Sequence, residues 1–250
     1  TNLNKLFEYR KQGENFYSSS FDTIAAFGSN GAIVHYHPSE KTNQQICGDS
    51  LLLIDSGAQY YDGTTDITRT VAIGTPTDEM KQNYTQVLKA HIAVASALFP
   101  QNTAGSAIDT LSRAQLWKLG QEYAHGTGHG VGHFLGVHEG PQSLSAKNNI
   151  PLKKDMVLSI EPGFYIENEY GIRLENLAII ESASTLYSEN MLKFTPLTVV
   201  PFDNRLINKD MLSDSEINWL NDYHKFVFET LSPLCDKELK TWLQKSCEMI

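Results

Sequence analysis

At 250 residues the chain has room for one large domain or two small ones, with enough length to bury a real core. Its 41% hydrophobic and 20% charged content is that of an ordinary globular protein, which excludes a disordered or fibrous class. A net charge of −9 argues against a nucleic-acid partner or an anionic membrane surface, and no apolar run approaches the roughly 18 residues of a spanning helix. Cys47, Cys235 and Cys247 are odd in number with no C-x-x-C pair, which favours reduced thiols and a cytoplasmic setting. The chain opens on Thr1 without a secretory signal, so a processed chain or a fragment is expected.

Residues 1–12 carry Leu3, Leu6, Phe7 and Arg10 at helical spacing, with Gly13 as a stop. Residues 21–27 and 32–36 read as two short strands around Gly28-Ser29-Asn30-Gly31, and His35 closes the second. Residues 51–54 are wholly apolar and end in Asp55, while Asp66 opens the strand-like run 67–73. An aspartate directly after a buried run is costly unless paired or coordinated. A turn on Tyr60 and Tyr61 would set Asp55 opposite Asp66, whereas a turn on Asp62-Gly63, the stronger signal, would set Asp66 opposite Gln59. A bulge at Asp62-Gly63 reconciles the two and is the expectation.

Two helices follow, over 76–99 and 106–120. Thr77 or Thr75 caps the first and Pro100 stops it; its His91 lies on the apolar stripe and reads as a packing residue. Residues 125–141, H-G-T-G-H-G-V-G-H-F-L-G-V-H-E-G-P, hold four of the eight histidines. Four glycines at about 1 kcal/mol each argue against a helix there. In an extended chain His125, His129 and His133 share a face, the glycines admit another backbone closely, and His138 joins them only if the ribbon bends near Gly136. Residues 156–160 are another apolar run ending in an acid, Glu161, and a second hairpin turning near 167–169 sets Glu161 opposite Glu175. Acid, turn, acid between apolar strands thus occurs twice, which suggests an internally duplicated fold. From Ser213 onward two amphipathic helices close the chain, the first with a Ser213/Glu216 capping box and the second marked by Leu239, Trp242 and Leu243.

Four acids and an imidazole on strands suit two divalent ions, Mn2+ first, with Co2+ or Zn2+ also accommodated. Without metal, acids about 4 Å apart repel by roughly 4 kcal/mol per pair at an effective dielectric near 20. Paired ions activate water and hold a polarised oxygen, which is hydrolytic chemistry.

I-D-S-G-A-Q-Y-Y-D-G-T-T-D-I-T-R-T at 54–70, the histidine stretch, Glu161-Pro162-Gly163 and Gly171-Ile172-Arg173-Leu174-Glu175-Asn176 resemble the aminopeptidase P (Xaa-Pro aminopeptidase) family. The resemblance runs from about Phe21 through the C-terminal helices. It implies an α+β pita-bread fold, pseudo-two-fold duplicated, a curved antiparallel sheet with helices on its outer face. Residues 1–200 would be the catalytic domain and 201–250 a helical extension packed on it that makes a subunit contact, with the family's N-terminal domains absent. Asp55 would chelate one ion, Asp66 and Glu175 would bridge both, and His129 and Glu161 would complete the other. Glu161 would also take a proton from the attacking nucleophile. His35, His125 and His138 would handle substrate and protons, Arg173 would orient Glu175, and Tyr165 would line the wall, leaving His133 outside the set. The implied substrates are peptides with proline second, handled by a homodimer in the full-length protein. A prolidase-type dipeptidase is the alternative, and a non-catalytic binding module is disfavoured because all five ligands are present. The runs V-H-E-G-P at 137–141 and D-G-T-T-D at 62–66 favour aminopeptidase P over prolidase.

Overall fold

The computed structural model describes residues 2–250, with side chains from residue 5 onward; Thr1, the first residue of the expected N-terminal helix, lies outside the described residues. Helix α1 (Asn2–Arg10) leads into strands β1 (Phe16–Ser19) and β2 (Ile24–Phe27). Strands β3 (Ser50–Ser56), β4 (Ala58–Tyr60), β5 (Gly63–Thr64) and β6 (Ile67–Ile73) build the first hairpin, followed by α2 (Asp78–Ala95), β7 (Leu98–Pro100) and α3 (Gly105–Trp117). The histidine stretch contributes β8 (Gly128–His129), paired with β9 (Ser143–Leu144). The second hairpin consists of β10 (Val157–Ile160), β11 (Gly163–Ile166), β12 (Tyr170–Arg173) and β13 (Asn176–Ala183), and β14 (Met191–Pro196) pairs beside β13. Helices α4 (Asp214–Leu231) and α5 (Lys237–Ser246) end the chain. Among the described residues no helix is long and apolar enough to cross a membrane.

All the strand pairs are antiparallel and fall into five sheets, and the ladders of both hairpins are interrupted beside the acids. Strand β3 is apolar on both faces because both are covered: Leu51, Leu52 and Leu53 are all buried. In β12 and just after it the period of two divides the chain between two environments. Ile172 and Leu174 join the core under α2 with Tyr84, Val87 and Leu88, so Arg173 and Glu175 face the other way. His91 is fully buried in that core with Nδ1 3.2 Å from the Leu174 carbonyl, the packing role expected of it. A second core under β10, β13 and β14 gathers Leu158, Ile160, Ile180, Leu192 and Phe194 against Phe99 and Ile108. Helix α4 belongs to the first core through Leu220, Tyr223 and Val227, and its Ser213/Glu216 capping box forms as expected.

Three local expectations are corrected. Residues 28–32 form a 3-10 turn and 33–36 carry no strand, so His35 sits on a loop. The first long helix ends at Ala95, capped by Ser96, because Leu98–Pro100 is drawn into a strand beside β14. The first hairpin turns on Tyr61 and Asp62, pairing Tyr60 with Gly63 and Asp55 with Thr68 in one unbroken register without a bulge. Continuing that register puts Asp66 opposite Gly57, diagonal to Asp55 on the same face. The physical reason is tertiary. Asn15 holds the turn, its carbonyl accepting from the Tyr61 amide at 2.9 Å and its side chain lying 3.4 Å from Asp62, while the Tyr61 ring packs on Tyr17 and Phe134. Gly63 does not use the left-handed conformation that makes Asp-Gly a turn signal. The second hairpin obeys its expectation: Gly163 pairs with Arg173 and Ile160 with Asn176, the register that sets Glu161 opposite Glu175.

The two hairpins meet along Thr68–Thr70 and Arg173–Glu175. The Glu175 amide donates to the Thr68 carbonyl at 3.1 Å, and Thr70 Oγ1 accepts from the Arg173 amide at 3.1 Å. Beside this seam a Cβ on Gly171 would lie 1.8 Å from the Gly31 carbonyl oxygen, and backbone cannot yield as a flexible side chain can. Gly171→Ala is therefore expected to destabilise the protein by about 1–3 kcal/mol, the range of overpacking substitutions, read as a lowered denaturant midpoint at unchanged slope.

Candidate metal centre

Asp55 and Asp66 come from the first hairpin, at the end of β3 and just before β6; Glu161 and Glu175 sit in the matching breaks of the second. Each lies where a ladder stops, so its side chain turns toward the opposite hairpin. His129, in β8, completes the group because the Glu161 amide donates to the Thr127 carbonyl at 2.7 Å, tying the histidine stretch to the second hairpin. This close approach needs the glycine: a Cβ on Gly128 would lie 1.9 Å from the Ser159 carbonyl oxygen.

The donors converge. His129 Nε2 lies 3.5 Å from Asp66 Oδ2 and 3.3 Å from Glu161 Oε1, and donor atoms of Asp66, His129 and Glu175 all fall within 4.8 Å of one another. His129 Nδ1 lies 3.0 Å from the Gly130 carbonyl; donating there leaves the Nε2 lone pair facing the acids, as a metal ligand requires. Thr68 Oγ1 donates to Glu175 Oε2 at 2.8 Å, and Ser159 Oγ to Glu161 Oε1 at 3.2 Å. Asp55 Oδ1 and Asp66 Oδ1 are buried without a partner among the described residues. Buried carboxylate oxygens without donors are strongly unfavourable, so this donor set fits a bound cation.

The electrostatics point the same way. Burial first, and then Asp55 and Glu161 nearby, push the Asp66 carboxyl up to about 9. Burial followed by Asp66, Glu161 and Asp55 raises Glu175 well above the usual range, and burial also raises Glu161. Arg173 is the guanidinium of the same wall. Expected to orient Glu175, it instead pairs with Asp55 (Nη2 to Oδ2, 2.7 Å) and reaches Glu175 only through Thr68, whose Oγ1 accepts from Arg173 Nε at 3.2 Å. Arg173 Nη1 also donates to the Tyr165 hydroxyl at 2.9 Å, which faces His125 Nε2 at 2.9 Å. Burial lowers His125 to about 4, so its ring is neutral and Nε2 can accept that hydroxyl proton.

These groups line a cavity of about 470 Å3 with His35, His125, His138 and Arg173 in its wall. The histidine ribbon does bend: the Gly132 amide donates to the Gly136 carbonyl at 3.0 Å, and Phe134 takes φ +53°. The reversal brings the His138 ring to 4.2 Å from that of His129 and leaves His133 exposed, outside the cavity. The same-face alignment of His133 is thereby corrected. Sequence reasoning missed His37 and the apolar lining of Phe21, Ile24, Val34 and Val137. It also missed Thr68 and Ser159, although each stands two residues from an acid on a strand and so shares its face.

A family model for metallopeptidase family M24 matches residues 1–182, and one for the C-terminal region of peptidase M24 matches 190–250. A probable Xaa-Pro aminopeptidase P of Arthroderma gypseum is 46% identical over 255 residues, covering 99% of this chain and 40% of its own length. The crystal structure of an X-prolyl aminopeptidase from Caenorhabditis elegans, described as a cytosolic enzyme with a di-nuclear active site, superposes with a TM-score of 0.95 at 42% identity. That match covers 99% of this chain and 41% of the other. Prolidase from Pyrococcus furiosus gives 0.65 at 31% identity, covering 76% of this chain and 53% of its own. The chain spans about two-fifths of the length of the curated relatives it matches. The pita-bread architecture expected from the sequence is the one observed.

A carboxyl whose pKa rises on folding contributes stability that is complete below its unfolded value, 3.8 for Asp66, and lost as pH climbs toward about 9. The ion-free protein is expected to melt at progressively lower temperature from about pH 5 to about pH 9, with saturating divalent cation removing most of that slope. Scanning calorimetry across this range checks it; a flat ion-free profile would contradict the crowding.

Proposed function

The chain belongs to metallopeptidase family M24, and from that premise we propose that it is the catalytic part of an aminopeptidase that removes the first residue from peptides with proline second. The observation carrying this reading is the convergence of Asp66, His129 and Glu175 beside the unpartnered oxygens of Asp55 and Asp66. Asp55 would hold one divalent ion, His129 and Glu161 the other, and Asp66 and Glu175 would be shared. Two such ions, Mn2+ before Co2+ or Zn2+, would polarise the scissile carbonyl and acidify water.

The chain's own groups supply the rest. Glu161, steadied by Ser159, accepts the proton of the nucleophile and can return it to the departing proline nitrogen. Arg173 fixes Asp55 and, through the Tyr165 hydroxyl, the neutral ring of His125. His35 and His138 stand in the cavity wall as donors to the substrate backbone. Proline has no amide N–H and a fixed φ, so its ring needs shape and apolar contact, which Val34, Val137, Phe21 and Ile24 provide. The relatives named Xaa-Pro aminopeptidase P and the C. elegans neighbour support this substrate class.

A dipeptide-only, prolidase-type activity is the second reading, favoured by the Pyrococcus prolidase likeness, yet that match covers less of the chain at a lower TM-score. We assign the protein to the cytoplasm on its three free cysteines and the cytosolic neighbour. Residues 201–250 form the helical extension of a catalytic domain spanning 1–200, and exposed Phe226, Leu234, Leu239, Trp242 and Met249 suit a subunit contact in a homodimer.

The expected outcome is Mn2+-dependent release of arginine from an Arg-Pro-Pro peptide in preference to hydrolysis of Gly-Pro; cleavage of the dipeptide alone would install the prolidase reading. Asp66→Ala or Glu175→Ala is expected to abolish turnover and loosen both ions. Glu161→Gln is expected to lower kcat by about 100- to 10,000-fold, the span of a lost general base.

A further inference from the structure

Arg69 is buried, 7% exposed, and forms no carboxylate ion pair among the described residues. A guanidinium in that position has to be satisfied by neutral oxygens, and it is. Nη1 donates to the Glu175 carbonyl at 2.6 Å, and Nη2 donates to Asn176 Oδ1 at 2.7 Å. On its other side Nη2 reaches the Val200 carbonyl at 2.6 Å and the Tyr223 hydroxyl at 3.1 Å, while Nε donates to the Pro201 carbonyl at 3.1 Å. Tyr223 comes from α4, and its hydroxyl has the Val200 and Thr198 carbonyls as acceptors at 2.9 and 3.0 Å.

The placement matters because Glu175 lies in the step between β12 and β13, where the ladder is interrupted. Arg69 supplies the donor its carbonyl would otherwise take from a neighbouring strand. The Glu175 peptide is then pinned on both sides, its amide to the Thr68 carbonyl at 3.1 Å and its carbonyl to Arg69. Its carboxylate, held by Thr68 Oγ1 at 2.8 Å, therefore extends from a main chain fixed at both its amide and its carbonyl.

We propose that Arg69 is a positioning residue for the metal centre: with Tyr223 it fixes the Glu175 peptide from behind, so that the C-terminal segment sets the geometry of a metal-holding carboxylate. This rests on the reading of Glu175 as a ligand shared by the ions. Lysine, a point charge, cannot satisfy carbonyls on both sides at once as the planar fork does.

The test is titration of ion-free protein with Mn2+ by calorimetry, alongside melting with and without saturating Mn2+, for the wild type, Arg69→Lys and Tyr223→Phe. Arg69→Lys is expected to weaken Mn2+ binding by about 10- to 100-fold, the usual effect of losing a group that orients a ligand. Tyr223→Phe, which removes one hydroxyl and leaves the packing intact, is expected to weaken it by about threefold on the same scale. The gain in melting temperature on adding Mn2+ should shrink in the same order. With an X-Pro peptide, kcat should fall more than KM rises. Unchanged Mn2+ affinity in Tyr223→Phe and in any folded Arg69→Lys, with only the ion-free melting temperature lowered, would reduce Arg69 to a packing role and overturn the proposal. A wild type that binds no Mn2+ would instead remove the reading of the site, and this inference with it.

Discussion

The carboxylates of Asp55, Asp66, Glu161 and Glu175 share one wall with a single guanidinium, that of Arg173, which is already committed to Asp55. Their mutual repulsion raises the Asp66 and Glu175 carboxyls after burial has already done so. The fold accepts this by placing each acid at or beside the point where a strand ladder stops: the Glu175 amide is held by the first hairpin and the Glu161 amide by the histidine stretch, while Asp55 keeps its pairing with β2 and β6. Cation binding reverses the sign of the imbalance. A cluster that weakens the ion-free protein would then stabilise the filled one.

Much of this arrangement was legible in the sequence because strands have a strict period. Arg173 and Glu175 alternate with the core residues Ile172 and Leu174, and the second hairpin's turn at 167–169 fixes Glu161 opposite Glu175. What was not legible came from contacts distant in sequence. The first hairpin turns one residue earlier than its Asp-Gly signal suggests because Asn15 and the rings of Tyr17 and Phe134 hold Tyr61 and Asp62. Strand period alone would have put His133 beside His129 and kept His138 away; a reversal at 132–136, with a non-glycine residue, Phe134, in the left-handed region, does the opposite. Arg173 found Asp55 in the other hairpin, a pairing that spacing along one strand cannot reveal.

The helices at the C-terminus illustrate the same limit. Their amphipathic pattern and capping box were readable, and pattern alone made them packing or subunit-contact elements. Their side chains enter the core beneath α2, and Tyr223 reaches past it to Arg69, one peptide away from Glu175. A part of the chain that contributes no residue to the cavity thereby reaches, through Arg69, the backbone that carries a carboxylate of the centre.

The loop that returns His138 to His129 is closed at both ends: the Glu139 amide donates to the Gly130 carbonyl at 2.9 Å, and the Gly130 amide to the Gln142 carbonyl at 3.1 Å. Its contour length is thus fixed. One inserted or deleted residue between these anchors would swing His138 away from the cavity while leaving every acid where it is. Variation in length should accordingly accumulate in the exposed stretch 43–48 and spare 131–137.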